Sequence, residues 1–379
     1  MTAFRLWVFG CSHLTKDIRK GRESLADAIR HSKSAAFGGW DAAIDLGDHH
    51  GGVNNTPTNR DGHEVVRQFG ALTSHPREAI YSVQGNHDRQ GPGEPPGWWF
   101  RMYVDPMGEN PHTSGVNANN RPYPVSGTWE RYKWQAGNIV FLMISDVTRP
   151  ETNLRGALGG DPCGVYTQET FDWWREQVET YRGGPEIVVT CHHYLPRNTT
   201  ICTGDFEGGQ LDSHGIYDGI YHGAGRDPKG SGRLHWKGEQ ADATDFIDHI
   251  ASNPGDVALW LGAHTHARPG TVINGRTLRA HLHGCHFVNC AGLTKHHGRA
   301  AHQVPRSRLF IFEDGSDAVV VRNWYHDTSH APTVGWHGDD EILRLARRIS
   351  LCPAGKDRHA AGRVIGGLVE PGGVEPPTS

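Results

Sequence analysis

Five apolar runs in this sequence each stop at a cluster of side chains able to bind a metal. "RLWVFG" ends at Cys11-Ser12-His13, "AAIDLG" at Asp48-His49-His50, "YSVQG" at Asn86-His87-Asp88, "IVVTC" at His192-His193 and "VALWLGA" at His264-Thr265-His266. Short apolar runs bounded by Gly and polar residues read as buried strands. Open α/β sheets gather ligands just beyond the carboxyl ends of their strands. One histidine at a strand end is more often a hydrogen-bonded structural residue than a ligand. Five such ends together predict a fold that carries them to one place, with a metal site built from Cys11, His13, Asp48, Asn86, His87, His192, His193, His264 and His266. The 26 histidines of the 379-residue chain agree with that reading, since histidine is the commonest metal ligand.

The remaining pattern is α/β. Strands are expected at Arg5–Gly10, Ala42–Gly47, Ile80–Gln84, Asn138–Ser145, Glu186–Thr190, Val257–Leu261, Leu278–Val288, Leu309–Glu313 and Ala318–Trp324. Helices are expected at Ser24–Ser34, Gly62–Ser74, Gln168–Tyr181, Gln240–Ser252 and Asp340–Arg348. In Gln168–Tyr181 the residues Phe171, Trp174, Val178 and Tyr181 share one stripe behind Thr167 as N-cap, a core-facing pattern. Strand–helix alternation followed by a strand-rich second half implies two packed sheets covered by helices. Two Gly/Pro/Asn-rich insertions, at about 90–127 and 197–238, each follow a motif and are expected to wall the site. Residues 1–325 then form one domain, and 326–379 a C-terminal helix with a disordered Pro/Gly-rich tail.

The ligand types narrow the chemistry. His, Asp and Asn together suit Zn, Fe or Mn rather than Ca or Mg. Asp48 has two oxygens and can bridge two ions; ions about 3.5–4 Å apart polarise a phosphoryl oxygen and supply the attacking hydroxide. His264 and His266, two residues apart, point the same way in an extended segment. Nothing resembles a P-loop, so phosphate would be held by metals. Cys11-Ser12-His13 has three readings: a thiolate with its base, a pair of ligands, or a buried, inert thiol beside a histidine. The nucleophile reading leaves Asp48, Asn86 and "HTH" without work.

In order, "CSH … GDHH … GNHD … CHH … GAHTH" resembles the calcineurin-like metallophosphoesterase superfamily, whose pattern is D-x-H, G-D, G-N-H-D/E, H and G-H-x-H. The motifs run from Cys11 to His266. The resemblance implies a four-layer α/β/β/α sandwich and two divalent or trivalent transition metal ions (Zn, Fe or Mn). It implies a hydrolase of phosphoester bonds, mono- or diester, acting by metal-bound hydroxide. It also implies roles: Asp48 bridging, His13 and His266 on the first ion, Asn86, His264 and one of His192/His193 on the second, with His192 favoured. His87 would donate a hydrogen bond to phosphate or protonate the leaving oxygen. Asp88 reads as structural and Arg89 as solvated. Two departures stand out. Cys11 replaces the family's Asp, which biases the first site toward Zn or Fe if the sulfur ligates. Gly51 stands where some members carry the acid that orients the catalytic histidine, leaving His87 without an evident partner.

Composition bounds the rest. A net charge of -4 gives no basic field for long nucleic acid, though it does not exclude nucleic acid, and a small phosphodiester is the favoured substrate. The seven cysteines are scattered, with no CxxC pair and no disulfide framework, and read as reduced thiols. The apolar run of "MTAFRLWVFG" is too short for a signal peptide and no stretch approaches a membrane span, so a cytoplasmic protein is expected. Trp98, Trp99, Phe100, Tyr103, Tyr217 and Tyr221 either stack on a base or pack the insertions. His49, His50, His296 and His297 read as loop or surface residues, and His281, His283 and Cys285 as one face of a half-exposed strand. The rival function is a catalytically impaired scaffold of the same fold. Oligomeric state is not encoded in any feature of the chain.

Overall fold

A computed structural model describes residues 2–52, 56–154, 160–204, 230–267, 269–273, 275–290, 292–297 and 304–351. It contains two seven-stranded sheets. From edge to edge the first runs Gly335–Trp336, Ala318–Tyr325, Arg306–Glu313, Ala3–Phe9, Ala42–Asp45, Ile80–Ser82, with Glu341–Arg344 also paired to Ala318–Tyr325. The second runs Arg279–Leu282, Cys285–Asn289, Leu259–Gly262, Ile187–His192, Ile139–Ile144, Arg131–Ala136, Ser126–Gly127. Strands that end in polar clusters are parallel to their neighbours within each sheet: Ala3–Phe9 with Ala42–Asp45, that strand with Ile80–Ser82, and Ile187–His192 with Leu259–Gly262. Parallel pairing puts their carboxyl ends at the same edge of the sheet.

Period-two alternation sorts the side chains into layers. Along Ala3–Phe9, Phe4, Leu6 and Val8 enter the core between the sheets, while Trp7 and Phe9 face outward. Outside they meet Leu25 and Ile29 of the helix Ser24–Ser32, Val65 and Phe69 of Asn59–Phe69, and Trp99, Phe100 and Tyr103 of Trp98–Tyr103. Along Ile139–Ile144, Ile139, Phe141 and Met143 point inward, and Val140, Leu142 and Ile144 pack on Phe171, Trp174 and Val178 of Gln168–Thr180 and on Phe246 and Ile250 of Asp245–Ser252. The molecule is therefore the expected α/β/β/α sandwich. Tyr81 stacks on Trp134 at 4.1 Å and Trp134 on Phe141 at 4.0 Å, so aromatic rings tie one sheet to the other across the middle. Thr167 caps the helix Gln168–Thr180 by accepting from Thr170 N–H.

Three expectations change. The helix expected over Asp340–Arg348 is a strand at Glu341–Arg344, antiparallel to Ala318–Val321. The exposed edge of Ala318–Tyr325 offers unpaired backbone groups, and Leu343 and Leu345 alternate into the inter-sheet core while Ile342 stays outside. The single strand expected over Leu278–Val288 is a hairpin whose turn residues His283 and Gly284 both have positive φ, the geometry of a tight two-residue turn. His283 thus leaves the strand face, and His281 stacks on His286 instead. The first insertion is not plain loop: Trp99, Phe100 and Tyr103 are buried against the first sheet, so they pack the insertion and are not presented to a ligand. Tyr217, Tyr221 and the expected tail lie outside the described residues. Every cysteine among the described residues is free and buried, and no described helix is long and apolar enough to cross a membrane.

The edge strand gives a paired test. Leu343→Ala, which empties a buried site, is expected to cost about 2–4 kcal/mol in urea unfolding, whereas Ile342→Ala on the exposed face shifts stability by about 0.5 kcal/mol or less. Equal effects of the two would contradict the strand.

Candidate metal centre

The loops that leave the strand ends continue the sheet pairing for a few residues. Cys11 N–H donates to Gly47 O, His13 N–H to Asp48 O and Leu14 N–H to His49 O, zipping the first loop onto the second. Ala263 N–H reaches His193 O in the other sheet. His193 Nδ1 lies 2.5 Å from Leu46 O, so the two sheets are joined through a side chain at the site itself. Four of these residues, Cys11, His13, Asp48 and His264, have positive φ (47°, 38°, 64° and 56°). Non-glycine residues hold that conformation only when their surroundings over-determine it, and such residues cluster at functional sites.

Asp88 organises the second loop. Its carboxylate accepts from the backbone N–H groups of Asp48, His49, His50 and Gly85, at 2.8 to 3.2 Å. Burial works against its charge, but His49 and these N–H groups hold its carboxyl below the ordinary aspartate value. His49 lies between Asp45 (2.7 Å) and Asp88 (3.4 Å). Burial opposes its protonation, yet the two carboxylates push His49 up to about 10. His49 is thus a buried imidazolium that locks the turn, a structural part that composition did not distinguish from a loop histidine. Asp48 then turns its side chain toward Gly85, where a Cβ would stand 2.3 Å from Asp48 Oδ1; the glycine of "GNHD" is needed for that approach. His87 N–H donates to the same oxygen at 2.9 Å.

The histidines around Asp48 share one design. A carbonyl oxygen can only accept, so a ring nitrogen bonded to one carries the proton. His13 Nδ1–H donates to His50 O (2.9 Å), His87 Nδ1–H to Gly52 O (2.9 Å), His193 Nδ1–H to Leu46 O (2.5 Å) and His264 Nε2–H to Ser231 O (3.0 Å). Where the ring is neutral, as at His13, the other nitrogen is left with a lone pair. His193 Nε2 stands 3.0 Å from Asp48 Oδ2 and 3.3 Å from His264 Nδ1, and His13 Nε2 stands 3.7 Å from Asp48 Oδ2. His13 Nε2 and Asn86 Oδ1 are buried and have no hydrogen-bond partner among the described residues. Groups that face one another this closely call for positive charge among them, supplied by a proton on His193 or by a bound cation. Burial, then the neighbouring His297, His87 and His266, push His13 well below its ordinary value, so this ring stays neutral. Burial disfavours charge on His193 as well, but Asp48 raises it. Burial and then Asp48 push the Cys11 thiol well up, so a thiolate at this position needs a cation beside it.

Three groups of side chains bring potential ligand atoms within 4.8 Å of one another: Cys11, His13 and His266; Cys11, Asp48 and His193; and His13, His87 and His297. Cys11, His13, Asp48, His87, His193 and His266 therefore fall in one continuous cluster, joined to His264 through His193. His192 does not join it. Its Nδ1 accepts from Tyr194 N–H, and burial and then His193 hold it down to about 3. Strand parity explains the choice: Ile187, Val189 and Cys191 face the inter-sheet core, so His193 continues inward toward Asp48 and His192 points the other way. The partner of His87 is the Gly52 carbonyl. At position 51 a Cβ would meet Lys16 Cγ at 2.4 Å and Thr15 Oγ1 at 2.9 Å, so these neighbours leave no room for an acid there. Arg89, expected in solvent, is buried, with its guanidinium against Gly160. His297, expected on the surface, is half-buried and stacked on His13 at 3.7 Å. Oxygen and nitrogen donors that converge with one thiol fit borderline transition metals.

No family model matches the sequence, and no curated protein matches it. Among solved structures the chain is similar to GAP50, "the anchor in the inner membrane complex of Plasmodium", at 6% identity and a TM-score of 0.45, covering 94% of this chain and 93% of that one. It is similar to Vps29 of Chaetomium thermophilum at 9% identity and 0.30, covering 91% and 98%. It is also similar to the sulfate thiohydrolase SoxB of Thermus thermophilus at 11% identity and 0.36, covering 90% of this chain and 56% of that one. Likeness this distant carries no weight for function, which has to be argued from the residues.

Proposed function

We propose that this chain is a metal-dependent hydrolase of phosphoester bonds, with two transition metal ions held at the strand ends, as in the calcineurin-like metallophosphoesterases that its motifs resemble. The observation that carries the reading is the convergence of His193 Nε2 on Asp48 Oδ2 at 3.0 Å and on His264 Nδ1 at 3.3 Å, and Asn86 Oδ1, next in sequence to His87, is buried with no hydrogen-bond partner among the described residues. In this reading Asp48 would serve both ions, Cys11, His13 and His266 would hold the first, and Asn86, His193 and His264 the second. His192 is left as a structural residue. Bound there, the ions supply Lewis-acid polarisation of the phosphoryl group and a water acidic enough to react at neutral pH.

The protein's own groups do the rest. Carbonyls orient the rings of His13, His193 and His264 so that their other nitrogens face the site, and a cation binding there would displace the proton of His193. His87 Nδ1–H is committed to Gly52 O, so Nε2 is the atom that exchanges a proton with the leaving oxygen. Asp88 and His49 hold Asp48 and the carbonyls of residues 50–52 in register. A small phosphodiester remains the favoured substrate, in a cytoplasmic setting.

Hydrolysis of bis-p-nitrophenyl phosphate and p-nitrophenyl phosphate is expected with Mn, Zn or Fe and is abolished by EDTA. His87→Ala should lower kcat by about 10²- to 10⁴-fold. Activity that survives exhaustive chelation contradicts the mechanism, and two bound ions without turnover point to the scaffold. For the sulfur, Cys11→Ala should reduce the metal content measured by mass spectrometry from about two ions per chain toward one, as expected for loss of a thiolate ligand. Unchanged content of both ions would show that Cys11 is not a ligand.

A further inference from the structure

The segment 292–297 belongs to none of the five strand-end motifs, yet it is tied into the site. Leu293 N–H donates to Gly10 O and Thr294 N–H to Cys11 O, extending the pairing of the first loop. The buried Asp17 carboxylate accepts from Thr294 Oγ1 and from the N–H groups of Lys295 and His296. This anchorage places His297 parallel to His13, with ring centroids 3.7 Å apart and planes 8° apart, and edge-on to His87 at 4.9 Å and to His266 at 5.8 Å.

Two carbonyls of the neighbouring loop face histidines here: His50 O accepts from His13 and Gly52 O from His87, both at 2.9 Å. The His297 nitrogen Nδ1 is buried and has no hydrogen-bond partner among the described residues, like His13 Nε2. One ring nitrogen of each of His13, His87 and His297 lies within 4.8 Å of the others. Ligands around one tetrahedral zinc stand about 3.4 Å apart, so these nitrogens are near enough to share an ion if one of the two stacked rings turns to bring its in-plane lone pair toward the other's.

We propose that His297 is a further metal-binding residue of this centre, a nitrogen donor that joins His13 on the first ion. The inference rests on the two-ion reading above. It also bears on the sulfur at position 11. A site that has lost a hard carboxylate and gained a thiolate and a third imidazole is a nitrogen- and sulfur-rich site, which selects zinc-like ions over Mn and Mg.

The test uses the full chain titrated with Zn and Co, against a competing chelator, without substrate. His297→Phe keeps a ring over His13 and removes the nitrogen, while His297→Asp removes the ring and keeps a donor. His297→Phe should weaken one of two binding events by about 10- to 100-fold, the range seen when a metal site loses support. It should also change the visible spectrum of bound Co, and His297→Asp should largely restore affinity. In the wild type labelled with nitrogen-15, Zn should shift the His297 Nδ1 resonance, a readout that does not depend on a variant folding. Unchanged affinity and Co spectrum in His297→Phe, or no shift at His297 when Zn binds, overturns this inference and leaves the two-ion reading intact. Failure of the wild type to bind any metal overturns both.

Discussion

The Asp88 carboxylate is the contact on which the centre depends. Four backbone N–H groups from two loops converge on it, and His49 carries the matching positive charge between Asp88 and Asp45. A buried carboxylate is tolerable only when its lone pairs are filled, and here filling them fixes the chain from Asp48 to His50. Once that turn is set, Asp48 must approach Gly85, and the carbonyls of residues 50 and 52 must face His13 and His87. One charged contact thereby sets both the central carboxylate and the tautomers of the rings around it.

The backbone does work that other arrangements assign to side chains. With glycine at 51 there is no acid to orient His87, and the neighbouring Gly52 carbonyl takes that part. A carbonyl orients an imidazole as a carboxylate does, but it adds no charge and does not raise the basicity of the ring as much. The cost of holding Cys11, His13 and Asp48 at positive φ is offset by the hydrogen bonds between their loops and by Asp88, which leave these residues little other geometry.

What was legible in the sequence follows from range. Each strand-end cluster is a local signal, an apolar run meeting polar residues, and parallel pairing gathers the ends. The layering came from alternation within single strands. His193 was legible too, since counting inward from Ile187 by twos reaches it, but adjacency of two histidines hid the parity. His297 was not, because its place depends on pairing with Gly10 and Cys11 and on Asp17, far away in the chain. The clamp by the 50–52 carbonyls was also invisible, since any residue type presents a carbonyl. The strand at Glu341–Arg344 is not legible in the sequence because Ile342, Leu345 and Ile349, at i, i+3 and i+7, fit a helical stripe as readily as Leu343 and Leu345 fit a strand, until the open edge of Ala318–Tyr325 is known.

The central claim is that positive charge from metal ions belongs among Asp48, His193 and His264. Anomalous diffraction from crystals of the protein grown with Zn or Fe, collected at the metal edge, tests it most directly. The account predicts two peaks about 3.5–4 Å apart on either side of the Asp48 carboxylate, the spacing of two-metal sites. Crystals with no peak at Asp48, or with metal only at surface histidines, would contradict it.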